Sequence, residues 1–185
     1  MQNPVLILGA SGEIGKHIAE KFSQIGQSLI LHGNKNAPPK IGSCSDNQTI
    51  ETVYADLTDE ISVQTLFDSI GKEHAALSGV VFSVAQPFSN RLSHRTPWRV
   101  FDQQIQTQLK AAHITLSAAY PMLKEHGKDT AARVIMISTE YSLGLPPIKI
   151  APYVAAKSAL NAYALSLAQE WLGSNIRVHI LAPGL

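Results

Sequence analysis

The amino-acid sequence predicts a doubly wound α/β fold with six parallel strands, on three observations. Short, continuously apolar runs alternate with segments of helical periodicity from one end of the chain to the other. Parallel strands joined by right-handed crossovers produce that alternation. A glycine-rich turn, Gly9-Ala10-Ser11-Gly12-Glu13-Ile14-Gly15, separates the first strand from the first helix. Finally, 185 residues suit a single domain spanning 1–185 with a sizeable core.

The elements follow in order. Val5 to Leu8 is short, apolar and followed by glycine, as in a strand buried on both faces. Ile14, Ile18, Phe22 and Ile25 then recur at helical spacing, with Lys16, His17, Glu20 and Lys21 opposite, so this stripe is expected to face the core. Ser28 to His32 reads as the second strand, ended by Gly33-Asn34, and the Lys-, Asn-, Pro- and Ser-rich stretch to Asn47 as a solvent loop. Glu51 to Ala55 is the third strand, and a helix with Thr58 as N-cap runs to about Lys72. Gly79 to Val84 is the fourth strand. Thr96-Pro97 opens a helix whose apolar stripe is Ile105, Leu109, Ala112, Leu116 and Ala119. Arg133 to Ile137 is the fifth strand, Tyr153 to about Leu172 the last helix, and Arg177 to Leu181 the sixth strand.

Composition narrows the function. Fifteen Lys and Arg against fourteen Asp and Glu give a net charge of +1, which argues against a broad nucleic-acid or anionic-membrane footprint. One cysteine, Cys44, allows neither an intrachain disulfide nor a Cys-based zinc site, and the seven histidines show no metal-ligand spacing. No apolar run reaches the ~18 residues of a membrane span, and the first apolar run is too short for a signal peptide. The expectation is a soluble, cytoplasmic protein acting on a small molecule.

A glycine turn between strand and helix lets backbone approach a pyrophosphate, which rests on the free N–H groups of the helix N-terminus. Tyr153 and Lys157 lie four apart on a predicted helix, so both emerge on one face. A phenol titrating near 10 is a poor acid at neutral pH, and a nearby ammonium favours its ionisation. Such a pair can pass a proton to or from a carbonyl oxygen. Tyr120 and Lys124 repeat the spacing but straddle Pro121, and no hydroxyl-rich strand end precedes them. Strand five, by contrast, ends in Ser138-Thr139, at the carboxyl edge where open α/β sheets bind ligands.

Together with Ala55-Asp56-Leu57, Tyr153-Val154-Ala155-Ala156-Lys157 and Ala182-Pro183-Gly184, these features resemble the short-chain dehydrogenase/reductase family over essentially the whole chain. The resemblance implies a Rossmann-type sheet and a carbonyl or alcohol substrate. It implies Tyr153 as general acid/base, with Lys157 lowering its pKa and binding the nicotinamide ribose. Thr139 or, failing it, Ser138 would hydrogen-bond the substrate carbonyl. Gly9, Ser11, Gly12, Ile14, Gly15 and Ser83 would contact the cofactor, Asp56 and Leu57 its adenine, and Pro183-Gly184 its nicotinamide. The family's relay asparagine appears here as Gln108, and its Asn-Asn-Ala-Gly as Phe82-Ser83-Val84-Ala85. The glycine spacing matches the family's extended branch.

Strand two ends without an acid to grip a ribose 2′-hydroxyl. Asn34 can hydrogen-bond and Lys35 can pair with a phosphate, so NADP(H) is expected over NAD(H). Ala155, Ala159, Ala162 and Ser166 form a small-residue stripe on the last helix, opposite Leu160, Ala164, Leu167 and Trp171. With the preceding helix it resembles the contact through which the family forms homodimers or homotetramers. Family members usually continue past Pro-Gly to a substrate-covering segment and a seventh strand, so a fragment of a longer reductase is expected, with a 3-oxoacyl-type reductase as one subtype by analogy. Two alternatives stand beside that reading: a nucleotide-sugar epimerase or dehydratase, and a cofactor-binding regulatory or scaffold protein without catalysis.

Overall fold

The computed structural model describes residues 2–184. Six strands, β1 (Val5–Leu8), β2 (Leu29–Gly33), β3 (Ile50–Tyr54), β4 (Gly79–Phe82), β5 (Ala132–Ile137) and β6 (Ile176–Leu181), form one parallel sheet. Its order is β3-β2-β1-β4-β5-β6, so the winding reverses beside β1. Crevices open at the carboxyl ends of the strands at such a reversal.

The central strands are apolar throughout because both faces are covered. Along β1 the side chains alternate: Leu6 and Leu8 enter the larger core cluster, and Val5 and Ile7 the smaller. The larger cluster is closed by α2 (Glu60–Glu73), α4 (Ala111–Gly127) and α5 (Ala151–Glu170), through residues such as Phe67, Leu116 and Leu160. The smaller lies under α1 (Glu13–Gln24). On α5 the stripe Leu160, Ala164, Leu167 and Trp171 is buried as the periodicity predicts.

Several expectations are corrected. Strand and helix do not alternate throughout, since β2 and β3 are joined by a segment without a helix. Its packing comes from side chains: buried Gln48 donates from its amide to the Ser23 and Gln27 carbonyl oxygens at the end of α1. The α1 stripe is only half inward. Ile18 and Phe22 pack on the smaller cluster as expected and Gly15, Ala19 and Ser23 are buried, whereas Ile14 is 49% exposed and Ile25 77%. The helix lies so close to the glycine turn that only small side chains fit beneath it. At α2 the cap is Asp59, whose carboxylate accepts the Ile61 N–H at 3.0 Å, and Thr58 instead closes a turn on Asp56. The next helix begins after Pro97 as α3 (Trp98–Ile105), with Thr96 donating its hydroxyl backwards to the Leu92 carbonyl.

A π-helical turn, Gln106–Lys110, links α3 to α4. The wider turn shifts the helical register, so the inward face before α4 is Gln104, Thr107 and Gln108, not the expected Ile105 and Leu109. Gln108 is fully buried, and its amide donates to Gln104 Oε1 at 2.5 Å. Tyr120 of the second Tyr-Lys spacing is a packing residue, with its hydroxyl 2.9 Å from Ser174 Oγ and its ring against Trp171.

Candidate active site

The glycine turn follows from steric need. Gly9 adopts φ +81°, and a Cβ there would lie 2.8 Å from the Ser83 carbonyl oxygen. A Cβ on Gly15 would collide with the Gly9 carbonyl oxygen. Gly12 is the N-cap of α1 and supplies no side chain, so the first-turn N–H groups of that helix are left open to an anion. The turn is also held from the neighbouring strand. His32 accepts the Gly9 N–H on Nδ1 at 3.3 Å, while its Nε2 sits 3.0 Å from the Ala55 carbonyl oxygen. That oxygen can only accept, so Nε2 carries the proton and the imidazole is neutral. Burial pushes the His32 pKa below its usual value, against the opposing pull of the Ala55 carbonyl and of Asp56.

These elements wall a cleft of about 490 Å³. Eight of the expected cofactor residues line it: Gly9, Ser11, Gly12, Asn34, Lys35, Asp56, Leu57 and Ser83. The Asp56 carboxylate accepts the Thr58 hydroxyl at 2.7 Å and the Thr58 N–H at 2.9 Å. Those two bonds, then Lys35 and His32, hold it below the usual carboxylate range.

A second cavity of about 420 Å³ contains Ile14, Ser138, Thr139, Tyr153, Pro183 and Gly184. Gly12 lines the first cleft and Ile14 the second, so the opening turn of α1 borders both. Both expected hydroxyls line the cavity with Tyr153. Thr139 Oγ1 accepts the Tyr141 N–H at 3.4 Å, and Ser138 Oγ lies 3.3 Å from Ser142 Oγ. Burial pushes the phenol above its ordinary pKa, and the nearby Thr139 hydroxyl pulls it partly back.

Three expected site residues line neither space. Lys157 is buried behind the phenol, with Nζ 5.9 Å from the Tyr153 ring centre and donating to the Ile137 carbonyl at 2.7 Å. Burial lowers its pKa to about 8. Burial thus works against ionisation of both groups, raising the tyrosine and lowering the lysine. Gln108 points into the core, and its Oε1 has no partner among the described residues. Gly15 only allows close packing. Sequence reasoning missed His32, read merely as a strand residue, and the cavity walls Phe88, Tyr141, Ile148 and Ile150. Their positions are set by long-range packing, which leaves no spacing pattern.

The family model for short chain dehydrogenases matches residues 3–185. An uncharacterized oxidoreductase of Staphylococcus epidermidis is 27% identical over 183 residues, covering 97% of this chain and 76% of the relative. Among solved structures, the NADP complex of Pseudomonas aeruginosa RhlG is similar with a TM-score of 0.86 and 21% identity, covering 100% of this chain and 73% of that one. The NAD complex of the NADH-dependent reductase A1-R′ is similar with a TM-score of 0.86 and 17% identity, covering 100% and 79%. Among the described residues no helix is long and apolar enough to cross a membrane.

Proposed function

The chain belongs to the short-chain dehydrogenase family, and from that premise we propose that it is an oxidoreductase that interconverts a carbonyl and an alcohol with a nicotinamide dinucleotide, NADP(H) before NAD(H). One observation carries the reading. A cavity that holds the Tyr153 phenol together with the Ser138 and Thr139 hydroxyls abuts the uncapped first turn of α1, and the other side of that turn opens on a cleft shaped by glycine.

The residues fit the cofactor. At Gly9 a side chain would strike the Ser83 carbonyl and force the turn out of shape, and at Gly12 the helix end lacks any competing cap. The diphosphate would lie along Gly9, Ser11 and Gly12, the adenine against Asp56 and Leu57, and a 2′-phosphate beside Asn34 and Lys35. Ser83 would border the ribose, and Ile14, Pro183 and Gly184 would wall the nicotinamide end. When bound, the reduced nicotinamide supplies the hydride that reduces the carbonyl carbon. Tyr153 gives its phenolic proton to the carbonyl oxygen, Thr139 holds that oxygen by a hydrogen bond, and solvent returns the proton. Lys157 acts through the phenol's surroundings and carries a positive charge that favours phenolate.

Both NAD- and NADP-bound structures share this fold. The preference for NADP(H) rests on Lys35 at the cleft and on the absence of an acid at the end of β2. On α5, Ala155, Ala162 and Ser166 remain exposed, which supports close approach of a second copy and a homodimer or homotetramer. A second, non-catalytic reading is favoured by Gln108, whose free Oε1 is shut inside the protein, away from both cavities.

Tyr153→Phe separates the two readings. Turnover of an aldehyde panel should fall about 100-fold or more while NADP(H) still raises the melting temperature. Unchanged turnover overturns the role of Tyr153, and a wild-type protein that binds cofactor but reduces nothing supports the non-catalytic reading.

A further inference from the structure

The two cavities differ in charge. The nucleotide-side cleft is lined by His32, Lys35 and Asp56, whereas among the described residues no Lys, Arg, His, Asp or Glu lines the cavity around Tyr153. Its polar groups are neutral hydroxyls and one amide.

Its walls are apolar by construction. The Phe88 ring lies 5.2 Å from the Tyr153 ring at an interplanar angle of 43°, so an aromatic face stands beside the proton donor. Ile148 and Ile150 both line the cavity, but Lys149 between them does not. Lys149 adopts φ +73°. Its carbonyl accepts the Arg91 N–H at 3.2 Å, tying the loop of Ile148 and Ile150 to the loop of Phe88. Neither Arg91 nor Lys149 is among the residues that line the cavity. At the rim stands a negative charge. The Glu140 carboxylate packs on Gly184, with Oε2 2.6 Å from the place a Cβ would take.

A carboxylate entering this space would lose water with no cation among the lining residues to bond it, Lys157 being behind the phenol, and it would approach Glu140. We propose that the substrate is an uncharged aldehyde or ketone bearing an apolar, aromatic group, and that Phe88, Ile148 and Ile150 select it against carbonyl compounds carrying a carboxylate. This rests on the reading of Tyr153 as proton donor. In the reaction the C=O π bond is replaced by a C–H bond from the hydride and an O–H bond from the phenol. The carbonyl is reduced and the dihydronicotinamide oxidised.

Methyl 4-formylbenzoate and 4-formylbenzoate share ring and aldehyde and differ in charge. With NADPH, kcat/KM for the ester should exceed that for the acid by roughly tenfold or more. Phe88 is half exposed, so Phe88→Ala should fold; it should raise KM for the ester roughly tenfold and leave the acid within about twofold. Ile148→Arg should move the ratio toward the acid. An acid used as well as the ester, or a Phe88→Ala variant with an unchanged ester KM, overturns the proposal and leaves the oxidoreductase reading standing. Should neither aldehyde be reduced, that reading fails for these substrates, and calorimetric titration of the whole chain with each compound decides the cavity's preference. Tighter binding of the ester supports it and tighter binding of the acid overturns it.

Discussion

Lys157 and Tyr153 stand one turn apart on α5, with the ammonium 5.9 Å from the phenol ring centre and its short hydrogen bond spent on the Ile137 carbonyl. A buried cation held by one carbonyl is destabilised relative to water, which is why Lys157 titrates near 8.

That shift has a consequence for stability. Unfolded, Lys157 keeps its proton up to about 10.5, so between 8 and 10.5 the unfolded chain binds more protons and stability rises with pH. Lys157→Met removes the titration. Its stability relative to wild type should be greatest near pH 7 and decline by about 3 kcal/mol by pH 10.5. Urea unfolding of both proteins at several pH values measures the difference, and a pH-independent difference would show that the ammonium is not desolvated.

His32 predicts the acid limb. Its folded pKa lies below the ordinary histidine value, so on acidification the unfolded chain takes up the proton first. Stability from this group is present above about 6.5 and lost as pH falls toward the folded pKa. Protonation also removes the acceptor of the Gly9 N–H, so NADP(H) affinity should weaken over the same range. In His32→Gln both trends should be flatter, as measured by thermal melts and cofactor titrations between pH 7 and 5.

The two glycines at the start of α1 should differ sharply. Gly15→Ala drives a methyl into the Gly9 carbonyl and should cost about 1–3 kcal/mol, together with cofactor binding. At Gly12 the nearest atom to a Cβ is the Gly9 carbonyl oxygen at 3.4 Å, so Gly12→Ala should leave the melting temperature nearly unchanged. Equal melting temperatures for the two variants would contradict the packing described.

Lys35 decides the cofactor prediction. Lys35→Asp should lower the affinity for NADP(H) roughly tenfold or more and change NAD(H) far less. Equal losses for both would mean that Lys35 acts on the shared nucleotide and not on a 2′-phosphate.

By itself the sequence determined the architecture. Apolar runs of strand length, separated by helical stripes, leave few ways to bury both faces of a parallel sheet, and the glycine turn can sit only at the first strand–helix junction. Gly9, Ser11, Gly12, Asp56, Leu57 and Ser83, singled out by the glycine turn and the family resemblance, line one cleft because all follow strands that the winding brings to one edge. Tertiary structure decided the rest. Close packing under Gly15 turned Ile14 outward, a π turn carried Gln108 into the core, and burial raised the Tyr153 phenol above its ordinary pKa. His32, Phe88 and Ile148 meet the site from loops and strand ends far apart in the chain. Their contributions depend on distance and desolvation in the folded molecule, and these depend on residues brought together from separate elements.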